Sequence, residues 1–185
     1  MPFDDPEPRS LKGSLILADP SLHDPNFFRS VLLLTEHRHD HGAHGYILNR
    51  PLGKLVGDLL PSGDFGTLCD VPIFVGGPVS PEHLTFASFR WKPKSREILW
   101  ATHLSTQDAL DRLESGESVR AFIGYSGWGE GQLENELRQR AWIPRKPSST
   151  VLRLEKTEHL WAALLRDMGP WYRLLADTPE NPSLN

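Results

Sequence analysis

GYSGWGEGQLENELRQRAW, residues 124–142, places Gly124, Gly127, Gly129 and Gly131 around Trp128, directly before a helical pattern. The run ahead of it, VRAFI (119–123), is strand-like, so the order is strand, glycine turn, helix. Glycine adopts positive φ without steric cost, and a sharp bend here assigns that conformation to Gly127 or Gly129. Leu133, Leu137 and Ala141 recur every four residues, which predicts a helix over 132–142.

Working outward, GSLILA (13–18), VLLLTEH (31–37), GYILNRP (45–51) and VPIFVGGPV (71–79) read as strands, the second apolar enough for burial on both faces. Pro51 is expected to stop the third. LTFASFRW (84–91) and REILWAT (96–102) flank KPKS as a hairpin, and TVLRLE (150–155) reads as a late strand. KLVGDLL (54–60) suits a short helix before Pro61. STQDALDRLESG (105–116) is the clearest helix, with Ser105 as cap, Asp108 in the capping-box position and Gly116 as stop. TEHLWAALLRDMG (157–169) reads as a further helix. Strands and helices do not alternate strictly. The expected class is therefore α+β, a mixed sheet, curved or partly closed, with helices packed outside.

The chain has 185 residues, 24% charged and 38% hydrophobic, with a formal net charge of −4. That is one globular domain, expected over 11–185 behind a flexible, acidic, proline-rich lead (1–10). Its size supplies a core without metal or disulfide. Cys69 is the single cysteine, so neither an internal disulfide nor a multi-cysteine metal cage is possible. The lead is unlike a signal peptide, and no apolar run approaches the ~20 residues of a membrane span. A cytoplasmic location without membrane contact is expected. No lysine–arginine stripe marks either long helix, so tight duplex-DNA binding is not expected.

GSLILADPSLHDPNFFRSVLLLTEH, GAHGYILNRP, IFVGGPV and GYSGWGEGQLENEL with Trp142, in that order, resemble the YqgE/AlgH family of bacterial proteins. The likeness runs from about Gly13 to Trp142 and continues more weakly through Trp161 to the closing PSLN. It implies a bifurcated sheet around a small barrel. The family is largely uncharacterised, and its label suggests transcriptional regulation without supplying a mechanism. Extra histidines after His37 depart from the family pattern.

Three constellations carry possible chemistry. The glycine stretch precedes a helix, the layout that binds phosphate elsewhere. Here a G-x-G-x-x-G reading puts Gln132 where the third glycine belongs, and Glu130, Glu134 and Glu136 would repel an anion. The plainer account is a tight corner that packs Trp128; a site for a neutral or cationic group is the functional one. In EHRHDHGAH (36–44), His37, His39, His41 and His44 with Asp40 suggest a metal cluster, but histidines in a polar loop are usually solvated, and no metal or other cofactor is assigned. Asn49 and Arg50 end a strand, where Arg50 either faces a ligand or braces a loop. Ser126 has glycine at only one of the two places that a nucleophile elbow requires.

The sequence thus reads as a regulatory or interaction module with an unknown protein or small-molecule partner. The competing reading is a binder or enzyme with a cleft between the GGP turn and the GYSGWGEGQ loop. That cleft would draw on Gly76, Gly77 and Pro78 from one side. Tyr125, Gly127, Trp128, Gly129, Gly131, Gln132 and Glu134 would form the other, with His37, Asn49 and Arg50 at its margins.

Overall fold

A computed structural model of the protein describes residues 9–60 and 65–178. Most of the expected flexible lead, the Pro61 helix stop and the closing PSLN lie outside the described residues. Nine strands form one branched sheet: β1 (Leu15–Ala18), β2 (Val31–Arg38), β3 (Gly42–Ile47), β4 (Pro51–Leu55), β5 (Pro72–Val75), β6 (Val79–Lys92), β7 (Glu97–Leu104), β8 (Ser118–Trp128) and β9 (Trp142–Arg145). Five helices accompany them: α1 (Val56–Leu59), α2 (Thr106–Glu114), α3 (Gln132–Arg138), α4 (Leu160–Arg166) and α5 (Pro170–Ala176).

β8 is the strand at which the sheet divides. Its first half pairs parallel with β5, Ala121 opposite Ile73, and antiparallel with β6, Phe122 opposite Thr85. Its second half leaves β5, meets β6 again only where Tyr125 lies opposite Val79, and pairs with β3, Ser126 opposite Gly45. The bend between them falls at Gly124, whose φ is +65°. One arm continues β3-β2-β1-β9, and the other carries β4-β5 and the β6-β7 hairpin. The fold is α+β and mixed.

Side-chain alternation explains why β1 and the first half of β2 are apolar throughout. Leu15, Leu17, Val31 and Leu33 enter the central core with Phe89, Phe122 and the α4 residues Trp161, Leu164 and Leu165. Ile16, Ala18, Leu32 and Leu34 enter a second core with Trp128, Leu133 and Trp142. α2 and α1 cover a third face through Ala109, Val56, Ile73 and Phe86. Arg120, fully buried, spans the central core. It donates to the carbonyls of Leu48 (3.0 Å) and Val151 (2.8 Å), and its guanidinium lies over Phe74 at 4.8 Å.

Several boundaries correct the sequence reading. Residues 150–155 are not a strand: Ser149–Leu152 and Leu154–His159 are 3-10 turns. The alternating pattern misleads because Val151 alone of this run is buried, under the Arg120 fork. α3 stops at Arg138 rather than 142, since Arg140 turns left-handed at φ +60° and Trp142 starts β9. Pro51 begins β4 instead of merely stopping β3. Among the glycines of the opening stretch the positive φ values fall on Gly124 and Gly131, not on Gly127 or Gly129.

Candidate functional site

The structure distributes the candidate residues over three neighbourhoods. The first is the corner between β8 and α3. Gly131, at φ +68°, precedes the helix, and Gln132 Oε1 accepts from Gly129 N at 3.0 Å. Glu136 Oε2 accepts from two indoles, Trp128 Nε1 at 2.9 Å and Trp142 Nε1 at 2.7 Å. Trp128 is buried, so it seals the second core rather than walling a cleft.

On the same helix, Glu134 Oε1 lies 2.9 Å from His37 Nε2 and 2.8 Å from His39 Nδ1. These three side chains offer ligand atoms within 4.8 Å of one another. The tautomer decides what they can do. His37 Nδ1 accepts the Leu11 N–H at 2.8 Å, so the proton of a neutral ring sits on Nε2 and is donated to Glu134. The atom a metal would need is thereby occupied by a proton, and the imidazole clamps residues 10–11 to α3. Burial pushes the Glu134 carboxyl up. Its own backbone N–H, the His37 hydrogen bond and the charges of His37 and His39 outweigh that and hold it below the usual range. His41 Nδ1 lies 2.9 Å from Asp40 Oδ1, exposed and apart from this cluster.

The second neighbourhood is a brace. Asn49 Oδ1 accepts from Val31 N and its Nδ2 donates to Arg29 O. Arg50 donates to the carbonyls of Asn26 and Phe28. Both side chains tie the 24–29 loop to the end of β3, as the bracing account of Arg50 requires.

The third contains Gly76, Gly77, Pro78 and Tyr125. Here the GGP turn presses on β8 so closely that a β-carbon at Gly77 would collide with Tyr125 O and Ser126 Oγ. Ser126 Oγ donates to Gly76 O at 3.0 Å. The two glycine segments therefore meet through residues 124–126 and not through 127–132.

Beside that junction opens a cavity of about 510 Å³, lined by Tyr46, Ser80, Leu84, His103, Thr106, Gly124, Tyr125 and their neighbours. Three lining residues are left-handed: Ser80 at φ +49°, His103 at +56° and Gly124 at +65°. Strained non-glycine backbone persists where its surroundings over-determine it, and it clusters at binding sites. Behind the wall His44 stacks on Tyr125 with ring centres 4.4 Å apart and meets Tyr46 edge-on at 5.2 Å. Burial, then the negative charge Tyr125 would carry, pushes the Tyr46 phenol up to about 12, so it stays a donor at neutral pH. Burial, then the positive charge of His103, pushes His44 down against the pull of Glu36, which favours the uncharged ring. Among the described residues no Asp, Glu, Lys or Arg lines this cavity. Its polar groups are hydroxyls, imidazoles and backbone, a lining suited to an uncharged ligand.

The sequence reading placed Tyr125 and the GGP turn here but missed Tyr46, Ser80 and His103. No sequence signal marks Ser80 and His103, whose role comes from backbone conformation.

The sequence pattern of the AlgH-like family matches residues 15–173. A UPF0301 protein of Streptomyces coelicolor is 37% identical over 191 residues, covering 97% of each chain. One from Cytophaga hutchinsonii is 34% identical over 184 residues, covering 94% of this chain and 98% of its own. Among solved structures, the AlgH protein from Pseudomonas aeruginosa superposes with a TM-score of 0.63 at 28% identity, covering 94% of this chain and 97% of that one. A protein from Corynebacterium diphtheriae reaches 0.70 at 19% identity over 90% and 92% of the two chains, a likeness of fold.

Proposed function

The chain belongs to the AlgH-like family, and on that footing we propose that it is a cytoplasmic bacterial regulatory module. Its input is a small uncharged molecule held in the cavity beside the GGP turn, between β6, β7 and the Tyr125 end of β8. The observation that carries this reading is the convergence of left-handed Ser80, His103 and Gly124 on one uncharged, hydroxyl-lined cavity. A ligand there touches β6 and β7 of one arm, Tyr46 on β3 of the other, and β8, which joins them, so its binding energy acts on the relation between the two arms. Regulation in this form needs no direct contact with duplex DNA. The net charge of −4 argues against tight duplex binding.

Ligand-observed NMR with a library of uncharged heteroaromatic and polyhydroxy fragments tests the proposal. Hits should be lost in His103→Trp, which fills the cavity, and kept in Arg50→Ala, which lies at the brace. Hits that bind His103→Trp unchanged, or a library without hits, would remove the ligand-binding reading. The pure interaction reading would then rest on α5, where Trp171 and Leu174 are 66% and 64% exposed.

A further inference from the structure

A second cavity, about 600 Å³, lies across the lead segment, the β6–β7 turn and the residues after β9, and shares no lining residue with the uncharged pocket. Its composition is the opposite. Arg9, Lys12, Arg96 and Lys146 reach it from three separate stretches of chain, against one acid, Glu97. Lys12 is already paired with Glu36 at 2.8 Å. Among the described residues no ion pair engages Arg9, Arg96 or Lys146, so with Glu97 counted the lining keeps an excess of two positive charges in a chain whose net charge is negative. Like charges brought together raise the local potential and favour a multiply charged anion.

The cavity also has an aromatic wall. Trp100, half-buried, stands against Gly13, whose φ of +80° and missing side chain let the backbone lie on the indole; a β-carbon there would stand 3.4 Å from the ring. Ile98 and Leu99 extend the apolar side. Arg96 is itself left-handed at φ +54°, fixed at the end of the hairpin turn beside Glu97.

We propose that this cavity binds a nucleotide, its base against Trp100 and its phosphates among Arg96, Lys146 and Arg9. Stacking on an indole is tolerant of base identity, whereas the phosphates need the cations. Arg9, Arg96 and Lys146 outnumber the one lining acid and so suit a multiply charged phosphate chain, and the volume lies in the range of small-ligand pockets.

Calorimetric titration of the full chain with ADP, adenosine and inorganic pyrophosphate tests the assignment. ADP should bind in the micromolar range, and adenosine and pyrophosphate at least about tenfold more weakly, because each lacks one half of the recognition. Lys146→Glu and Arg96→Glu, exposed positions whose melting temperatures should not move, should each weaken ADP about tenfold or more, the scale of one charge-assisted contact. Trp100→Leu should abolish the preference for ADP over pyrophosphate. No heat with ADP at millimolar concentration, or ADP affinity unchanged in both charge reversals, would overturn the proposal. Equal affinity for pyrophosphate and ADP in the unaltered chain would overturn its aromatic half and with it the nucleotide assignment.

Discussion

Gly42 lies so close to Trp128 that a β-carbon on it would collide with the Trp128 carbonyl oxygen. The same atom would stand 2.8 Å from the carbonyl carbon of Gly129, and φ at Gly42 is +91°. Gly42→Ala thus meets both backbone strain and a backbone clash, and should cost about 3 kcal/mol or more in urea unfolding. Gly129→Ala meets nothing nearer than Gln132 Oε1 at 3.9 Å and should stay within about 0.5 kcal/mol of the unaltered chain. Equal costs at the two positions would mean that the corner is not held from the β2–β3 hairpin.

Glu136 is the joint acceptor of two indole N–H groups. Glu136→Ala leaves both without their partner, a penalty of about 1–3 kcal/mol for each group that stays dry. A thermal melt should show a loss well above that of an ordinary surface substitution, and tryptophan fluorescence should shift. Glu136→Gln keeps one acceptor oxygen and should lose less. Alanine and glutamine variants of equal stability would show that water replaces the carboxylate.

Glu134 carries a pH signature. Its folded-state carboxyl is held below the ordinary range, so it favours the folded state above the unfolded-state value and loses that contribution as pH falls through the lower, folded value. Glu134→Gln should reduce stability at pH 7, and the difference from the unaltered chain should shrink as pH drops below about 4, on the scale of unperturbed glutamate. A difference constant from pH 7 to pH 3 would refute the His37–Glu134 interaction as an electrostatic one.

Arg120 holds two carbonyls from strand end and turn with one planar fork. Lysine has the charge without the fork. Arg120→Lys should therefore cost about 2 kcal/mol or more by leaving a carbonyl or a charge unsatisfied in the core. Hydrogen exchange should quicken most around Val151. Unchanged protection there would mean that the 3-10 turn is held by packing alone.

The proton on His37 Nε2 predicts indifference to metal. Melts with and without EDTA should coincide, and added zinc should not raise the melting temperature. A chelator-sensitive melt abolished by His39→Ala would restore ligation by His37, His39 and Glu134.

The elements legible in the sequence were those whose local pattern agreed with their tertiary place. α2 was readable because Ser105 accepts from Asp108 N as a capping residue should, and β2 because both of its faces meet a core. TVLRLE was misread because Arg120, distant in sequence, claims the carbonyl that a strand would have paired. The end of α3 was misplaced because Trp142 must reach Glu136, a demand invisible to four-residue spacing. Within the site, glycines advertised the junction at Gly77 and Gly124. Ser80 and His103 stayed hidden, since any residue type can be forced left-handed when the surrounding sheet requires it.

The branching of the sheet at β8 also orders events at the ribosome. The β2–β3 and β6–β7 hairpins pair within short reach and are available as soon as their residues emerge. The strand that joins the two arms ends at Trp128, and the parallel β5–β8 ladder must close a loop from Val75 to Ile123. Until then a nascent chain holds two disconnected sets of strands with open edges, each a template for the wrong neighbour. Translation through residue 128 is therefore the interval in which this protein depends most on being kept apart from other chains.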